Sequence, residues 1–247
     1  MNARDDMLYT IDSILGPSRA DREAELRDIF PGQSEASISD TINLFLERLH
    51  ENGCEAIRVS DYAAGAAWTA RYLDRHGYRS VMLAGDESLA QSDFETCLVS
   101  AFPRMRVERM PTVLPDEEAR LAHRAASLEC DVSITSAIAG FAADGAVAIA
   151  SSKIESRSVS LLVLAHIAIV QASDVTEDLA AWSSELAERL RARESSAITI
   201  VAGPSKTADI EKVLVTGVHG PERFAVIVID ETLTPGHTIS PEKGQPV

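Results

Sequence analysis

LLVLAHIAIV, residues 161–170, is the stretch on which the fold turns. Apart from His166 it is apolar at every position, with no alternation of polar and apolar side chains. A half-buried strand alternates. A run that is apolar on both parities belongs to a strand covered on both faces, as in parallel sheets sandwiched by helices. Working outward, VSIT (132–135), AVAIA (146–150), AITIV (197–201) and FAVIVI (224–229) read the same way, and Glu55–Val59, Ser80–Ala84 and Val107–Met110 read as further strands. Between them lie helical patterns. Ile42, Phe45, Leu46 and Leu49 share one face of a helix capped by Ser39 or Asp40 and stopped by Gly53. Tyr62–His76 turns Ala64, Trp68 and Tyr72 inward and stops at Gly77, and Glu117–Leu128 follows Pro115. A small-residue helix is expected over Ala137–Ala142. Another is expected from Asp174 or Thr176 to about Arg191, with Leu179, Trp182, Leu186 and Leu190 on its inner face. Strands alternating with helices predict a layered α/β domain with a mostly parallel sheet.

That domain is expected over residues 38–230, between a polar arm at 1–37, broken by Pro17 and Pro31, and a flexible C-terminal tail at 231–247 rich in proline and glycine. A chain of 247 residues can bury a full core without disulfide or metal staples. Its net charge of −15 speaks against nucleic acid and anionic membrane surfaces as partners. The longest strongly apolar run, residues 159–172, is 14 long, short of the roughly 20 that a membrane-spanning helix needs. The opening MNARDDMLYT carries Asp5 and Asp6 and lacks the apolar region of a secretory signal, so a cytoplasmic location is expected. Cys54, Cys97 and Cys130 lie far apart and form no C-x-x-C pair. An iron–sulfur cluster normally takes four thiolates, so none is expected on this chain, and no metal site either.

Three segments carry polar groups where strands give way to loops, the usual place for a ligand in an open α/β sheet. Thr135 and Ser136 bring two hydroxyls to the expected start of the 137–142 helix, either as an anion cradle or as a plain N-cap. Gly203-Pro204-Ser205-Lys206-Thr207 combines a permissive turn, a fixed φ, a capping hydroxyl and one of only four lysines in the chain. A short helix carrying Asp209 and Glu211 is expected to follow. It serves equally as a structural turn with a solvated lysine or as an anion site. Gly217-Val218-His219-Gly220-Pro221 sets a histidine among glycines before the last strand, suited to proton transfer or substrate contact, or marking a backbone bend alone. His166, inside its apolar strand, reads as a core or near-site histidine. Arg157 on the polar loop 153–157 is either a carboxylate clamp or solvated surface. Signatures of P-loop NTPases, dinucleotide-binding folds, α/β-hydrolases and zincins are missing from the sequence.

The string GPSKTADIEKVLVTGVHGP, residues 203–221, with DVSITSAIAGFAADGAVAIASS from Asp131 and SRSVSLLVLAHIAIV ending at Val170, resembles the LUD-domain family, the lactate-utilization proteins of the C-subunit type. The likeness spans roughly residues 38–230 and is strongest from 131 to 229. It implies a fold like the NagB/RpiA/CoA-transferase group. It further implies participation in bacterial oxidation of L-lactate to pyruvate beside partner subunits that carry the iron–sulfur clusters. Positions matching the signature include Gly203, Ser205, Thr207, Asp209, Glu211, His219 and Gly220, and His166 falls where the family has a histidine. Two places depart from the usual pattern. Asp144-Gly145-Ala146 stands where Thr-Gly-Thr or Thr-Gly-Ser is common, and Val163 where proline is common.

The leading expectation is therefore a non-redox subunit of a lactate-oxidising system that binds a small carboxylate or phosphate. Thr135, Ser136, His166, Gly203, Ser205, Lys206, Thr207 and Gly220 are the candidate ligand contacts. The alternatives are a stand-alone enzyme of the sugar-phosphate isomerase or CoA-transferase type, with His219, Asp209 or Glu211 as acid/base, and a regulatory or scaffold module without turnover.

Overall fold

The apolar strands do end up side by side, though not in sequence order. The structure is a computed structural model that describes residues 37–239 except 86, 111–115, 152–157, 180–181, 183–196, 209–213 and 217–219. Along the chain it forms α1 (Ile38–Glu51), β1 (Glu55–Val59), α2 (Tyr62–His76), β2 (Ser80–Leu83), α3 (Glu87–Gln91), α4 (Phe94–Ala101), β3 (Arg106–Arg109) and α5 (Glu117–Leu128). There follow β4 (Val132–Ser136), β5 (Ala139–Phe141), β6 (Ala146–Ser151), α6 (Ser158–Leu161), β7 (Ala165–Gln171) and β8 (Val175–Thr176). The remaining described elements are the strands β9 (Ala197–Val201), β10 (Lys206–Ala208), β11 (Leu214–Thr216), β12 (Arg223–Ile229) and β13 (Thr238–Ile239).

The main sheet has the order β13-β1-β12-β7-β4-β2-β3, parallel throughout except for β13. The doubly apolar runs predicted from sequence, β7 and β12, are its middle. One face presents Ile57, Ile167, Ile169, Ile227 and Ile229 to Ala66, Leu73, Phe94 and Leu98 of α2 and α4. The other presents Ala168, Val170, Phe224, Val226 and Val228 to Ile42, Phe45, Leu46 and Leu49 of α1 and to Val147 and Ile149 of β6. The second face is covered by a smaller sheet, β8-β5-β6-β9, as well as by a helix. Phe141 and Trp182 pack against each other there, ring centres 5.5 Å apart.

Several local expectations are corrected. Residues 139–141 form a strand, not a helix: the Ile138 N–H bonds to the Ala148 carbonyl, and a turn over 142–145 returns the chain as β6. Cross-strand pairing overrides the modest helix preference of alanine-rich sequence. Gly145 closes that turn at φ +58°, and a Cβ there would lie 2.5 Å from the Arg48 carbonyl carbon, so only glycine fits. Residues 172–174 make one 3-10 turn and 175–176 pair with β5, so no helix begins at Asp174 or Thr176; its expected continuation lies mostly outside the described residues. Ser37 rather than Ser39 or Asp40 caps α1, its hydroxyl accepting from the Asp40 N–H at 3.2 Å. β9 runs antiparallel to β6 in the smaller sheet instead of joining the parallel one. Lys206–Ala208, expected at a helix start, is a strand paired with β11. Part of the segment assigned to the tail returns to the sheet, with Ile239 and Thr238 opposite Arg58 and Val59. Among the described residues no helix is long and apolar enough to cross a membrane.

Candidate functional site

Strand parity and register assemble a polar row inside this core. Side chains alternate across a strand, so Ser133 and Thr135 of β4 share one face while Ser136 takes the other. The pairing sets Ser133 opposite His166, and His166 opposite Phe224. His166 is 1% exposed, its Nε2 is 2.9 Å from Thr135 Oγ1, and its ring is 5.2 Å from that of Phe224. Burial alone pushes its pKa down to about 3, so near neutrality it is an uncharged imidazole that neither carries a charge nor acts as a proton store. Met82 lies beside Ser133 in register and packs with Met110, Cys130 and Val163, which makes the surroundings apolar. The Ser133 hydroxyl is fully buried and has no hydrogen-bond partner among the described residues.

The two glycine-bearing bends meet. The Ser205 N–H donates to the Pro221 carbonyl at 3.0 Å, and a Cβ on Gly220 would lie 3.5 Å from Ser205 Cβ. Gly203 takes φ +135°, and a side chain there would crowd the Asn52 carbonyl oxygen at 3.0 Å. The Glu222 and Arg223 amides both donate to the Leu164 carbonyl, tying the joined bends to the start of β7 as well as of β12. Pro221 is three residues from Phe224, so the bends lie within about 10 Å of the His166 row along the chain. Both features sit toward the amino ends of β7 and β12, the opposite side from the one that open parallel sheets ordinarily use. Asn52, closing α1, supports the arrangement from below. Its Nδ2 donates to the Asp144 and Gly145 carbonyls at 2.9 and 3.1 Å, beside the Gly203 bend.

Of the residues singled out from sequence, Thr135 and His166 bond each other, and Gly203, Ser205 and Gly220 come together at the joined bends. Ser136 ends β4 on the opposite face from Thr135. The amides that were to cradle an anion beyond it are occupied, Ala137 N–H by the Ile169 carbonyl and Ile138 N–H by that of Ala148. Lys206 and Thr207 lie on the β10–β11 hairpin. Asp209, Glu211, His219 and Arg157 lie outside the described residues. Sequence reasoning passed over Ser133, Phe224 and Asn52. The signal for Ser133 was its spacing two residues before Thr135 in a buried strand; that for Phe224 required knowing that β12 neighbours β7.

At the carboxyl ends of β1 and β12 the polar groups are instead knit together. Arg58 Nε is 2.7 Å from Asp230 Oδ2, which also receives Nη2, and both side chains are buried. The other Asp230 oxygen accepts from the Thr232 amide at 2.9 Å and hydroxyl at 2.6 Å. Burial works to raise the Asp230 pKa, but the hydrogen bonds from Thr232 and Arg58 outweigh it and hold the carboxyl below its usual range. Asp61 caps α2 by accepting from the Ala64 N–H at 2.7 Å, which with the Ser60 hydroxyl lowers its pKa, and Ser60 in turn receives the Gly236 amide at 3.0 Å. Gln171, closing β7, donates to the Tyr62 hydroxyl at 2.8 Å. Among the described residues no three His, Cys, Asp or Glu side chains gather as a metal site.

The family model of the LUD domain matches residues 42–229. A lactate utilization protein C from an Exiguobacterium species is 26% identical over 239 residues, 92% of this chain and 96% of that one. Another, from Bacillus licheniformis, is 32% identical over 161 residues, 64% of this chain and 65% of that one. Among solved structures, a DUF162 family protein from Deinococcus radiodurans superposes with a TM-score of 0.54 at 20% identity, covering 78% of this chain and 99% of that one; at that identity the likeness speaks for the fold. The chain belongs to the LUD-domain family.

Proposed function

We propose that this LUD-domain protein is a non-redox subunit of a bacterial L-lactate oxidation system, binding a small carboxylate at the amino edge of β7 and β12. The observation that carries this reading is the reach of the family match, which runs from α1 to the end of β12 and includes the joined bends at Gly203–Ser205 and Gly220–Pro221. Relatives that align along nearly the whole chain bear the name lactate utilization protein C. The electron-transfer clusters belong, on this reading, to partner iron–sulfur subunits. With three cysteines the chain is short of the four thiolates that a cluster normally takes. Lys206, Thr207, Asp209, Glu211 and His219 are the groups of the signature segment assigned to the ligand and to proton transfer. His166 is assigned to ligand contact rather than to proton transfer, because burial disfavours its protonated form.

The test is affinity purification of the tagged chain from cells grown on L-lactate, with growth measured after deletion of its gene. Co-purification of cysteine-rich iron–sulfur proteins together with loss of growth on lactate is the expected result. Unimpaired growth would overturn this reading, and turnover of a sugar phosphate or acyl-CoA by the purified chain alone would replace it with the stand-alone enzyme.

A further inference from the structure

Buried hydroxyls in proteins nearly always have a partner, and one left unpaired forfeits on the order of 1–3 kcal/mol. Ser133 Oγ is fully buried and without a partner among the described residues, and it stands in register with His166. The neighbouring bond leaves spare capacity as well. Thr135 Oγ1 and His166 Nε2 share one proton between them, and either tautomer leaves a second ring nitrogen and one more site on the hydroxyl. Three groups able to donate and accept thus line one face of the paired strands β4 and β7, against Met82 and the Phe224 ring.

The chemistry of that row selects what it can hold. Among the described residues it contains two hydroxyls and an imidazole and no cation, and the register row of Ser133 and His166 continues through Met82 to Glu108 on β3. Arg58, further along the same face, is already bound to Asp230. An ionised carboxylate brought among these groups would lose its hydration with no cation among the described residues of the row to balance it. An uncharged oxygen that both donates and accepts would satisfy Ser133 at little cost.

We propose that Ser133, Thr135 and His166 form a subsite for the hydroxyl or carbonyl oxygen at C2 of a short 2-hydroxy or 2-oxo carboxylate, the carboxylate itself lying outside the row. This rests on the small-carboxylate reading above and gives that ligand an orientation. The row reads the group that distinguishes a hydroxy acid from a simple fatty acid, as sites built to hydrogen-bond a hydroxyl reject analogues that lack it.

The test is calorimetric titration of the full-length protein with L-lactate and with propionate, which differ by that one hydroxyl, repeated on Ser133→Ala and on the near-isosteric Thr135→Val. Wild type is expected to favour lactate by about tenfold, the worth of one well-made hydrogen bond. Both variants, checked for an unchanged unfolding midpoint, are expected to bring the ratio close to one with propionate affinity preserved. Retention of the preference in both variants, or equal affinity of wild type for the two acids, would overturn the subsite and mean that the row holds water only, with the small-carboxylate reading intact. Binding of neither acid by wild type would overturn both.

Discussion

The two ends of the central strands differ in how they treat polar groups. At the carboxyl ends of β1 and β12, Arg58, Asp230, Thr232, Ser60 and Asp61 satisfy one another or the backbone, and even the returning strand β13 is tied in through Gly236. Toward the amino ends, a hydroxyl lies buried without a partner among the described residues and an imidazole is held neutral among apolar side chains. A closed network of this kind holds architecture together. An open one is where a guest is accommodated, because the fold alone gives no return for the desolvation. The other orphaned hydroxyl among the described residues, on Tyr72, lies on the opposite face in the aromatic packing with Trp68 and Tyr78.

This contrast can be broken at its strongest point first. Arg58→Met strands the Asp230 carboxylate in the core and is expected to cost about 3–5 kcal/mol, read from urea unfolding. Pairing it with Asp230→Leu should recover most of the loss. Next comes acid. A histidine whose folded pKa lies below its unfolded one keeps its full contribution above pH 6.5 and loses it as the pH falls, since the unfolded chain then binds a proton that the native state refuses. Between pH 6.5 and 4.5 the stability should therefore drop by up to about 1.4 kcal/mol per pH unit. His166→Gln should flatten that slope, and an unchanged slope would place the acid-sensitive group elsewhere. Gly145→Ala, which forces a side chain into the Arg48 backbone at a left-handed position, should cost about 2 kcal/mol in the same assay. The smallest change is the sharpest. Ser133→Ala should move stability by no more than about 0.5 kcal/mol, in either direction, because the hydroxyl it removes has no partner to lose. A large loss would mean that the row belongs to the closed kind of network after all.

The layers and most of the strands were legible in sequence, because doubly apolar runs have few other ways to fold. Which strands lie side by side was not. β12 enters between β1 and β7 from far along the chain, and only that insertion brings Phe224 beside His166. The misread helix at Ala137–Ala142 shows the same limit. Small residues carry little periodic signal, and the decision was made by β6, β8 and the Phe45 ring seated over Gly140, all distant in sequence or silent in propensity. The expected ligand side was likewise drawn from a rule for parallel sheets, whereas the bend after β9 follows an antiparallel strand of the smaller sheet and so arrives at the other end.

The last turn of α1 fits against two bends that come from separate parts of the chain, with Arg48 under Gly145 and Asn52 under Gly203. A helix gripped in this way acts as a gauge. If it slid along its axis by even one residue, about 1.5 Å, both bends would lose their seats together. The hairpin turn and the signature segment are therefore indexed to a common reference, and an insertion or deletion between Ser37 and Asn52 should disturb the two loops in concert rather than one at a time.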